Sequence, residues 1–212
     1  MTNQYIYLHG FASSPDSAKA QYISDRFSSL SLPLIIPDLN QNDFTHLTLS
    51  RQIKQVQKLF SPLETSVTLL GSSFGGLTSA YLAEKCPQVE RLVLLAPAFG
   101  FLEEWLNRLG TDTVEKWKNS GYLKVYHYGE QRSLPLHYQF VEDTEQYCEE
   151  QLQRSVPTLI IHGRNDEVIP LKYSRDFAKT RPWVELVEVE SDHALTNVLL
   201  DIWHLTKEFC HL

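Results

Sequence analysis

The sequence predicts an α/β fold, in which a minimal, mostly parallel six-stranded sheet carries helices on both faces. Short apolar runs alternate along the chain with longer amphipathic segments, which is the pattern of successive βαβ units. Several of the runs, such as VTLL and PTLIIHG, indicate strands that are buried on both sides. At 212 residues, the chain has the length of one domain (1–212) and can bury a core without disulfides or a structural metal.

The apolar runs YIYLH, PLIIP, VTLLG, RLVLLA, PTLIIH and VELVEV are assigned as strands. In chain order, the six strands are placed at residues 4–9, 33–37, 66–71, 91–96, 157–162 and 184–189. Helices are predicted at residues 16–30, 48–60, 74–86, 171–180 and 195–209. The last of them has apolar residues at helical spacing, which indicates packing on the sheet rather than a membrane anchor.

The segment VTLLGSSFGG, at positions 67–76, carries a catalytic motif. A strand-like run breaks there into Gly-x-Ser-x-Gly, and the helix-like segment AYLAEK follows. A serine at such a junction sits on a sharp turn at strained backbone angles, and side chains at Gly71 and Gly75 would collide with the neighbouring backbone. The context therefore predicts Ser73 as a nucleophile rather than as part of an ordinary turn.

A serine nucleophile needs a base to take its proton and an acid to orient that base. The strand 157–162 leads into RNDEVIP, which contains Asp166, and the strand 184–189 leads into SDHAL, which contains His193. Serine, acid and histidine then follow in the chain order of α/β-hydrolases, each in a loop at the carboxyl end of a strand. We therefore expect Ser73, Asp166 and His193 to meet.

Other residues compete for these roles. Asp192 and Asp143 are rival acids, although Asp192 adjoins His193 and neighbouring side chains in an extended segment diverge. An alternative for His193 is a loop histidine that caps the last helix. His9 and His162 each precede a glycine at a strand end, and we interpret both as structural.

An oxyanion hole should complete the site, formed by the amide after the nucleophile and an amide after an early strand. Phe74 supplies the first amide. In YIYLHGFASS, Gly10 lets the loop turn so that the amide of Phe11, or alternatively of Ala12, faces Ser73.

The segments HGFASSPDSAKA and GSSFGG together resemble the small bacterial YqiA-type esterases of the α/β-hydrolase superfamily. The resemblance covers most of the chain. It implies an acyl-ester hydrolase with Ser73, Asp166 and His193 as its triad and no cofactor. It also implies an α/β-hydrolase fold that lacks its usual first two strands.

The alternation of strands and helices is interrupted by an insert at about 99–152, which we expect to lie over the nucleophile as a lid. We predict two short helices around FLEEWLNRL and DTVEKWKNS, a hairpin of YLKVYHY and LPLHYQFV, and a helix at about 143–153. The insert holds 10 of the chain's 24 aromatic residues, so it supplies candidates for an acyl pocket. These are Trp105, Trp117, Tyr126 and Tyr138; the alternative is that such residues pack the insert onto the sheet.

Composition limits the compartment and the partners. Three widely spaced cysteines suggest neither a disulfide framework nor a zinc site, and no stretch resembles a signal peptide or a membrane span. We therefore expect a cytoplasmic protein without a metal and without stable membrane insertion. A net charge of −7 argues against a nucleic-acid surface, and the oligomeric state is left open.

These observations predict a serine hydrolase for small acyl esters. An acyl-CoA thioesterase or a small peptidase is the enzymatic alternative, and a catalytically silent ligand-binding protein is the non-enzymatic one. The insert has 10 acidic and 5 basic residues, so a broad basic patch for CoA is not evident. Four of its basic residues could still cluster, namely Lys116, Lys118, Lys124 and Arg132.

Overall fold

The computed structural model describes residues 3–61 and 65–212. Its strands, in chain order, are β1 (Asn3–Leu8), β2 (Leu34–Ile35), β3 (Ser66–Ser72), β4 (Val89–Leu95), β5 (Tyr122–His127), β6 (Arg132–His137), β7 (Thr158–Gly163) and β8 (Val184–Val189). Six of these strands form a parallel sheet in the spatial order β2-β1-β3-β4-β7-β8. The six predicted strands and their parallel arrangement are confirmed, although β2 has only two residues.

The helices are α1 (Ala18–Ser29), α2 (Leu49–Gln57), α3 (Phe74–Lys85), α4 (Phe101–Leu109), α5 (Thr111–Ser120), α6 (Gln139–Thr144), α7 (Lys172–Lys179) and α8 (Leu199–Cys210). Because side chains alternate along a strand, neighbouring residues face opposite sides of the sheet. Leu70 packs with Phe27 of α1 and Trp203 of α8, whereas Leu69 packs on the other face with Ile53 of α2 and Leu77 of α3. Helices therefore cover both faces, as predicted.

Strand order brings two loops of the predicted site together. From β1 the chain crosses to β2 on one side of β1 and then returns to β3 on the other side of β1. The loops after β1 and β3 therefore leave two adjacent strands in opposite directions. Leu8 of β1 lies in register with Gly71 of β3. In open parallel sheets, a crevice forms at such a reversal of strand order.

The insert contains α4, α5, the antiparallel hairpin β5–β6, and α6. The predicted helix at 143–153 is wrong: α6 occupies 139–144, and only a short 3₁₀ turn at Glu149–Gln151 lies farther on. The second hairpin strand accordingly ends at His137 rather than continuing through LPLHYQFV. Phe140 and Val141 are both fully buried, which adjacent residues on a hairpin with one exposed face cannot be.

The last helix also begins later than predicted. A 3₁₀ turn at Thr196–Val198 precedes α8, and Leu195 adopts a left-handed conformation with φ 56°. Over residues 3–61 and 65–212, no helix has the length and apolar character that a bilayer crossing requires.

Candidate active site

Ser73 occupies the junction between β3 and α3 at φ 52° and ψ −118°. Such angles are unfavourable for an L-residue and persist only where the surroundings enforce them. The Ser73 amide donates to Leu95 O (2.9 Å), and its carbonyl accepts from the amides of Gly76 (2.8 Å) and Ala98 (3.1 Å). These bonds hold the serine on top of the turn.

The two glycines of the motif make this turn possible. A Cβ on Gly75 would lie 2.5 Å from His9 O and would collide with Leu8 O, both in the backbone that ends β1. A Cβ on Gly71 would lie 2.5 Å from Gly75 O. The steric reason predicted for the Gly-x-Ser-x-Gly spacing is therefore confirmed.

Ser73, His193 and Asp166 form one chain of hydrogen bonds. His193 Nε2 lies 3.0 Å from Ser73 Oγ, and His193 Nδ1 lies 2.7 Å from Asp166 Oδ2. Since an ionised carboxylate only accepts, Nδ1–H donates to Asp166 and leaves Nε2 as an acceptor for the serine hydroxyl. The structure thus brings together the three residues expected to meet.

The Asp166 carboxylate is buried and bound on both oxygens. Oδ1 accepts from the amides of Val168 (2.9 Å) and Ile169 (2.8 Å), while Oδ2 also lies 3.1 Å from His162 Nε2. Burial acts to raise the pKa of Asp166, but the hydrogen bonds from His162 and His193 outweigh it and hold the pKa well below its usual range. Asp166 is therefore a carboxylate at neutral pH.

His162 contributes to the site as a support, which agrees with its structural interpretation. Its side chain is fully buried, and Nδ1 lies 2.8 Å from Ser174 Oγ while Nε2 faces Asp166. The contact with Asp166 was not predicted. The conformation of the loop decides it, and no sequence motif links the two residues.

The rival acids are engaged elsewhere. Asp143 Oδ2 accepts from the amide of Ser50 (2.9 Å) at the start of α2. Asp192 Oδ1 accepts from the amide of Ala194 (2.9 Å) within its own loop. Neither carboxylate is hydrogen-bonded to His193.

The residues predicted to form an oxyanion hole lie beside Ser73. Phe74 is the first residue of α3, so its amide has no acceptor within the helix. A Cβ on Gly10 would lie 3.3 Å from Ser73 Cβ, which places the Phe11 loop directly against the serine. His9 braces that loop, because its Nδ1 lies 3.0 Å from Gly10 O and its Nε2 accepts from the Leu39 amide (3.0 Å).

A cleft of about 1240 Å³ opens above Ser73 and His193. Its aromatic lining consists of Phe11, Phe101, Trp105, Tyr126 and Tyr128. On α4, the rings of Phe101 and Trp105 stack with centroids 5.4 Å apart, and Tyr126 and Tyr128 of the hairpin meet edge to face at 5.3 Å. The insert therefore supplies much of the cleft wall.

Only two of the four predicted pocket residues line this cleft. Trp105 and Tyr126 do, whereas Trp117 and Tyr138 lie outside it. Trp117 is buried, donates from Nε1 to Leu136 O (2.9 Å), and packs against Trp105 and Tyr138, each with ring centroids 5.4 Å apart. Trp117 and Tyr138 thus pack against other residues of the insert instead of lining the cleft.

Residues 4–210 match the model of the uncharacterised protein family UPF0227. The chain belongs to this family. Its fold and its structural neighbours agree with the expected place in the α/β-hydrolase superfamily. No curated protein sequence matches the chain significantly.

Several solved structures are similar to this UPF0227 protein over nearly its whole length. Mouse alpha/beta hydrolase domain-containing protein 10 is 23% identical with a TM-score of 0.77, covering 98% of this chain and 87% of its own. Est1E from Butyrivibrio proteoclasticus with bound ferulic acid is 20% identical (TM-score 0.84; 100% and 88%). A pyrethroid hydrolase from Sphingobium faniae JZ-2 is 18% identical (TM-score 0.70; 99% and 97%). At these identities the likeness establishes the α/β-hydrolase fold alone.

The four basic residues of the insert that could have formed a cluster lie outside the cleft. None of Lys116, Lys118, Lys124 and Arg132 lines the cleft, whose cationic residues are Lys19 and Arg108. Asp16, Glu167 and Asp192 line it too, so the UPF0227 cleft is not strongly basic. Within the described ranges, no three His, Cys, Asp or Glu side chains are grouped to hold a metal ion, and the three cysteines are unpaired.

Proposed function

We propose that this UPF0227 protein is a serine hydrolase that cleaves small carboxylic esters through an acyl-enzyme on Ser73. The observation that carries the proposal is the continuous hydrogen-bond chain from Asp166 through His193 to Ser73. A serine, a base within reach of its proton, and an acid that orients the base constitute the arrangement needed for nucleophilic acyl transfer. We place this activity in the cytoplasm, as the composition predicts.

In the first half of the reaction, Ser73 Oγ attacks the ester carbonyl carbon while His193 Nε2 takes the hydroxyl proton. Asp166 holds the ring in the Nδ1–H form and stabilises the imidazolium that results. The amides of Phe74 and Phe11 donate to the developing oxyanion. His193 then gives its proton to the departing alcohol oxygen, and the acyl-enzyme remains.

In the second half, water replaces the alcohol. His193 takes a proton from the water as its oxygen attacks the acyl carbon, and returns a proton to Ser73 Oγ when the carboxylic acid leaves. Water supplies the oxygen and the proton that the products gain, and the proposed cycle contains no oxidation or reduction.

The cleft supports a small organic substrate. Its volume of about 1240 Å³ and its aromatic walls suit an acyl or alcohol group with an apolar or ring portion. Two similar structures also support a small organic substrate. One holds ferulic acid, an aromatic carboxylic acid, and another is a pyrethroid hydrolase.

The alternatives have less support. A thioesterase for acyl-CoA would have to bind a strongly anionic leaving group, yet Lys19 and Arg108 are offset by three carboxylates along the same cleft. A silent binding protein would have no use for the strained Ser73 and its hydrogen-bonded base. A peptidase would use the same chemistry as an esterase, with a different leaving group.

Purified protein should be assayed against p-nitrophenyl esters and acyl-CoAs of graded acyl length, with Ser73→Ala as the matched control. We expect hydrolysis of the shorter esters and a loss of roughly 10⁴-fold in kcat in Ser73→Ala. Equal rates for wild type and Ser73→Ala would contradict the proposal. Preference for acyl-CoA over every ester, by kcat/KM, would replace it with the thioesterase.

A further inference from the structure

Lys19, near the start of α1, reaches the loop that carries His193. Its Nζ donates to Ala194 O at 2.8 Å, and Ala194 is the residue directly after His193. Lys19 also lines the cleft together with Ser73 and His193. We propose that Lys19 is a positioning residue, which fixes the backbone beside His193 so that the imidazole stays in reach of Ser73. This inference rests on the proposed function of the site.

Apart from Lys19, the histidine loop, residues 190–195, is held by the end of β7, by hydrogen bonds with Asn197 of the following 3₁₀ turn, by burial of Leu195 and by bonds within the loop. Ser191 O accepts from the Asn165 amide (3.0 Å), and a Cβ on Gly163 would lie 2.6 Å from Asp192 O, so the loop rests closely on that strand end. Ala194 N is bound to Asp192 Oδ1 inside the loop. Lys19 adds a tie from α1 at the carbonyl of Ala194, the residue after His193.

The position of Lys19 is not explained by the stability of α1. A cation in the first turn of a helix opposes the helix dipole, and partial burial of the Lys19 ammonium group costs solvation energy. The hydrogen bond to Ala194 O and the nearby carboxylates of Asp166 and Asp192 offset these costs. A tie between α1 and the histidine loop accounts for a lysine at this place.

The tie should depend on pH. Burial lowers the pKa of Lys19 to about 8, while Asp166 and Asp192 act in the opposite direction. The other titratable groups that line the same cleft are Asp16, Arg108, Tyr126, Tyr128, Glu167 and His193. As pH rises through about 8, the ammonium group loses its charge, and its hydrogen bond to Ala194 O becomes weaker.

The consequence for catalysis follows from geometry. His193 Nε2 must remain near its 3.0 Å distance from Ser73 Oγ, and a misplacement of about 1 Å can cost on the order of 10²-fold in rate. Loss of Lys19 should therefore lower kcat while KM stays nearly constant, because the substrate contacts remain.

The test compares Lys19→Met, Lys19→Arg and Lys207→Met, the last being an exposed lysine of α8. On a p-nitrophenyl ester, we expect kcat of Lys19→Met to fall about 10- to 100-fold with KM within roughly threefold of wild type. Lys19→Arg should keep most of the activity. The decline of wild-type kcat above about pH 8 should be absent in Lys19→Arg, whose charge persists. Lys207→Met should match wild type.

Amide hydrogen exchange of residues 190–196 provides a readout that does not need catalysis. Exchange should be faster in Lys19→Met than in wild type and Lys207→Met, even if no ester is hydrolysed. Unchanged exchange together with wild-type kcat in Lys19→Met would overturn the inference, as would a loss confined to KM. Inactive wild-type protein would instead refute the proposed function. If Lys19→Met does not fold, the pH profile of Lys19→Arg decides, and an unchanged alkaline decline there also overturns the inference.

Discussion

At the residue scale, His193 has one hydrogen-bond partner for each ring nitrogen, and the two partners have different roles. Asp166 accepts from Nδ1 at 2.7 Å, and Ser73 Oγ lies 3.0 Å from Nε2. The side chain of Asp166 is fully buried, whereas that of His193 is 21% exposed and opens on the cleft. The base is thus accessible to a substrate, while the acid that orients it is not.

Exchange of the acid is the sharpest test at this scale. We expect Asp166→Asn to lower kcat by up to about 10⁴-fold, because an amide can hold His193 in the wrong tautomer and cannot stabilise an imidazolium. Asp192→Asn and Asp143→Asn should stay within roughly tenfold of wild type, since their carboxylates bind backbone amides instead. Steady-state kinetics on the three variants would check this.

Circular dichroism and thermal melting must show that each of these variants is folded. If folded Asp192→Asn or Asp143→Asn lost more activity than folded Asp166→Asn, the acid would have to be sought elsewhere.

At this scale, sequence reasoning could place a residue in space where a motif fixes it to a strand end. Ser73, Asp166 and His193 each follow an apolar run, so their loops could be placed. Trp117 and Tyr138 could not be told apart from cleft residues in this way, because an aromatic residue has the same appearance in a sequence whether it lines a cleft or packs behind it. Only tertiary contacts separate Trp105, in the cleft, from Trp117, beneath it.

At the scale of elements, the β3–α3 junction depends on close approach of backbone to backbone. Gly75→Ala would drive a Cβ to 2.5 Å from His9 O, where no flexible side chain can yield. We expect this variant to lose about 3 kcal/mol or more of stability and most of its activity. Thermal melting and ester hydrolysis would measure both.

Gly110→Ala is the matched control. Gly110, between α4 and α5, has φ 77°, but no atom lies within 4 Å of the position that a Cβ would take there. The substitution therefore adds backbone strain of about 1–3 kcal/mol without a collision. Activity of the folded Gly110→Ala protein should persist. A Gly75→Ala protein as stable and active as wild type would contradict the steric account of the elbow.

The 3₁₀ turn at Glu149–Gln151 yields a prediction on pH. Glu149 accepts from the Gly100 amide (2.9 Å) ahead of α4, and burial raises its pKa from 4.5 to about 7. Because the pKa of Glu149 in the folded state lies above the unfolded value, the protonated carboxyl contributes its full stabilisation at pH below about 4.5. This contribution is lost as pH rises through about 7. Glu149→Gln, which stays neutral, should therefore gain stability relative to wild type between pH 5 and pH 8.

We expect that gain to be about 1 kcal/mol, or roughly 2–4 °C in melting temperature, because the carboxyl is only partly shielded from solvent. Glu150→Gln is the control, since Glu150 is exposed and its pKa is lowered. A difference between Glu149→Gln and wild type that is the same at both pH values would show that the carboxyl is not perturbed as described.

Elements of the insert were harder to predict than those of the sheet. The helices α4 and α5 and the first hairpin strand β5 match their expected segments, but β6 ends earlier than predicted and α6 does not match. Its sequence QFVEDT continues an apolar run, and burial of both Phe140 and Val141 against the core selects a helix over a strand. Tertiary packing therefore determines the helix, and the local sequence pattern carries no information about that packing.

At the scale of the whole molecule, the sheet brings residues that are distant in sequence into one site. Gly10 and His193, which are 183 positions apart, both lie against Ser73. The loop after β1 brings Gly10, the turn after β3 brings Ser73, and the loops after β7 and β8 bring Asp166 and His193. The alternation of strands and helices predicted the parallel sheet, but spatial order cannot be read from a single chain. The closeness of Gly10 to Ser73 follows from that order.

The central claim is that Ser73 is a nucleophile activated by His193, and covalent labelling with a fluorophosphonate tests it most directly. Intact-mass and peptide mass spectrometry should show a single adduct, located on Ser73, that is absent from Ser73→Ala and forms far more slowly in His193→Ala. An adduct on another serine, such as Ser72, labelling that persists in Ser73→Ala, or folded wild-type protein that does not react would contradict the account.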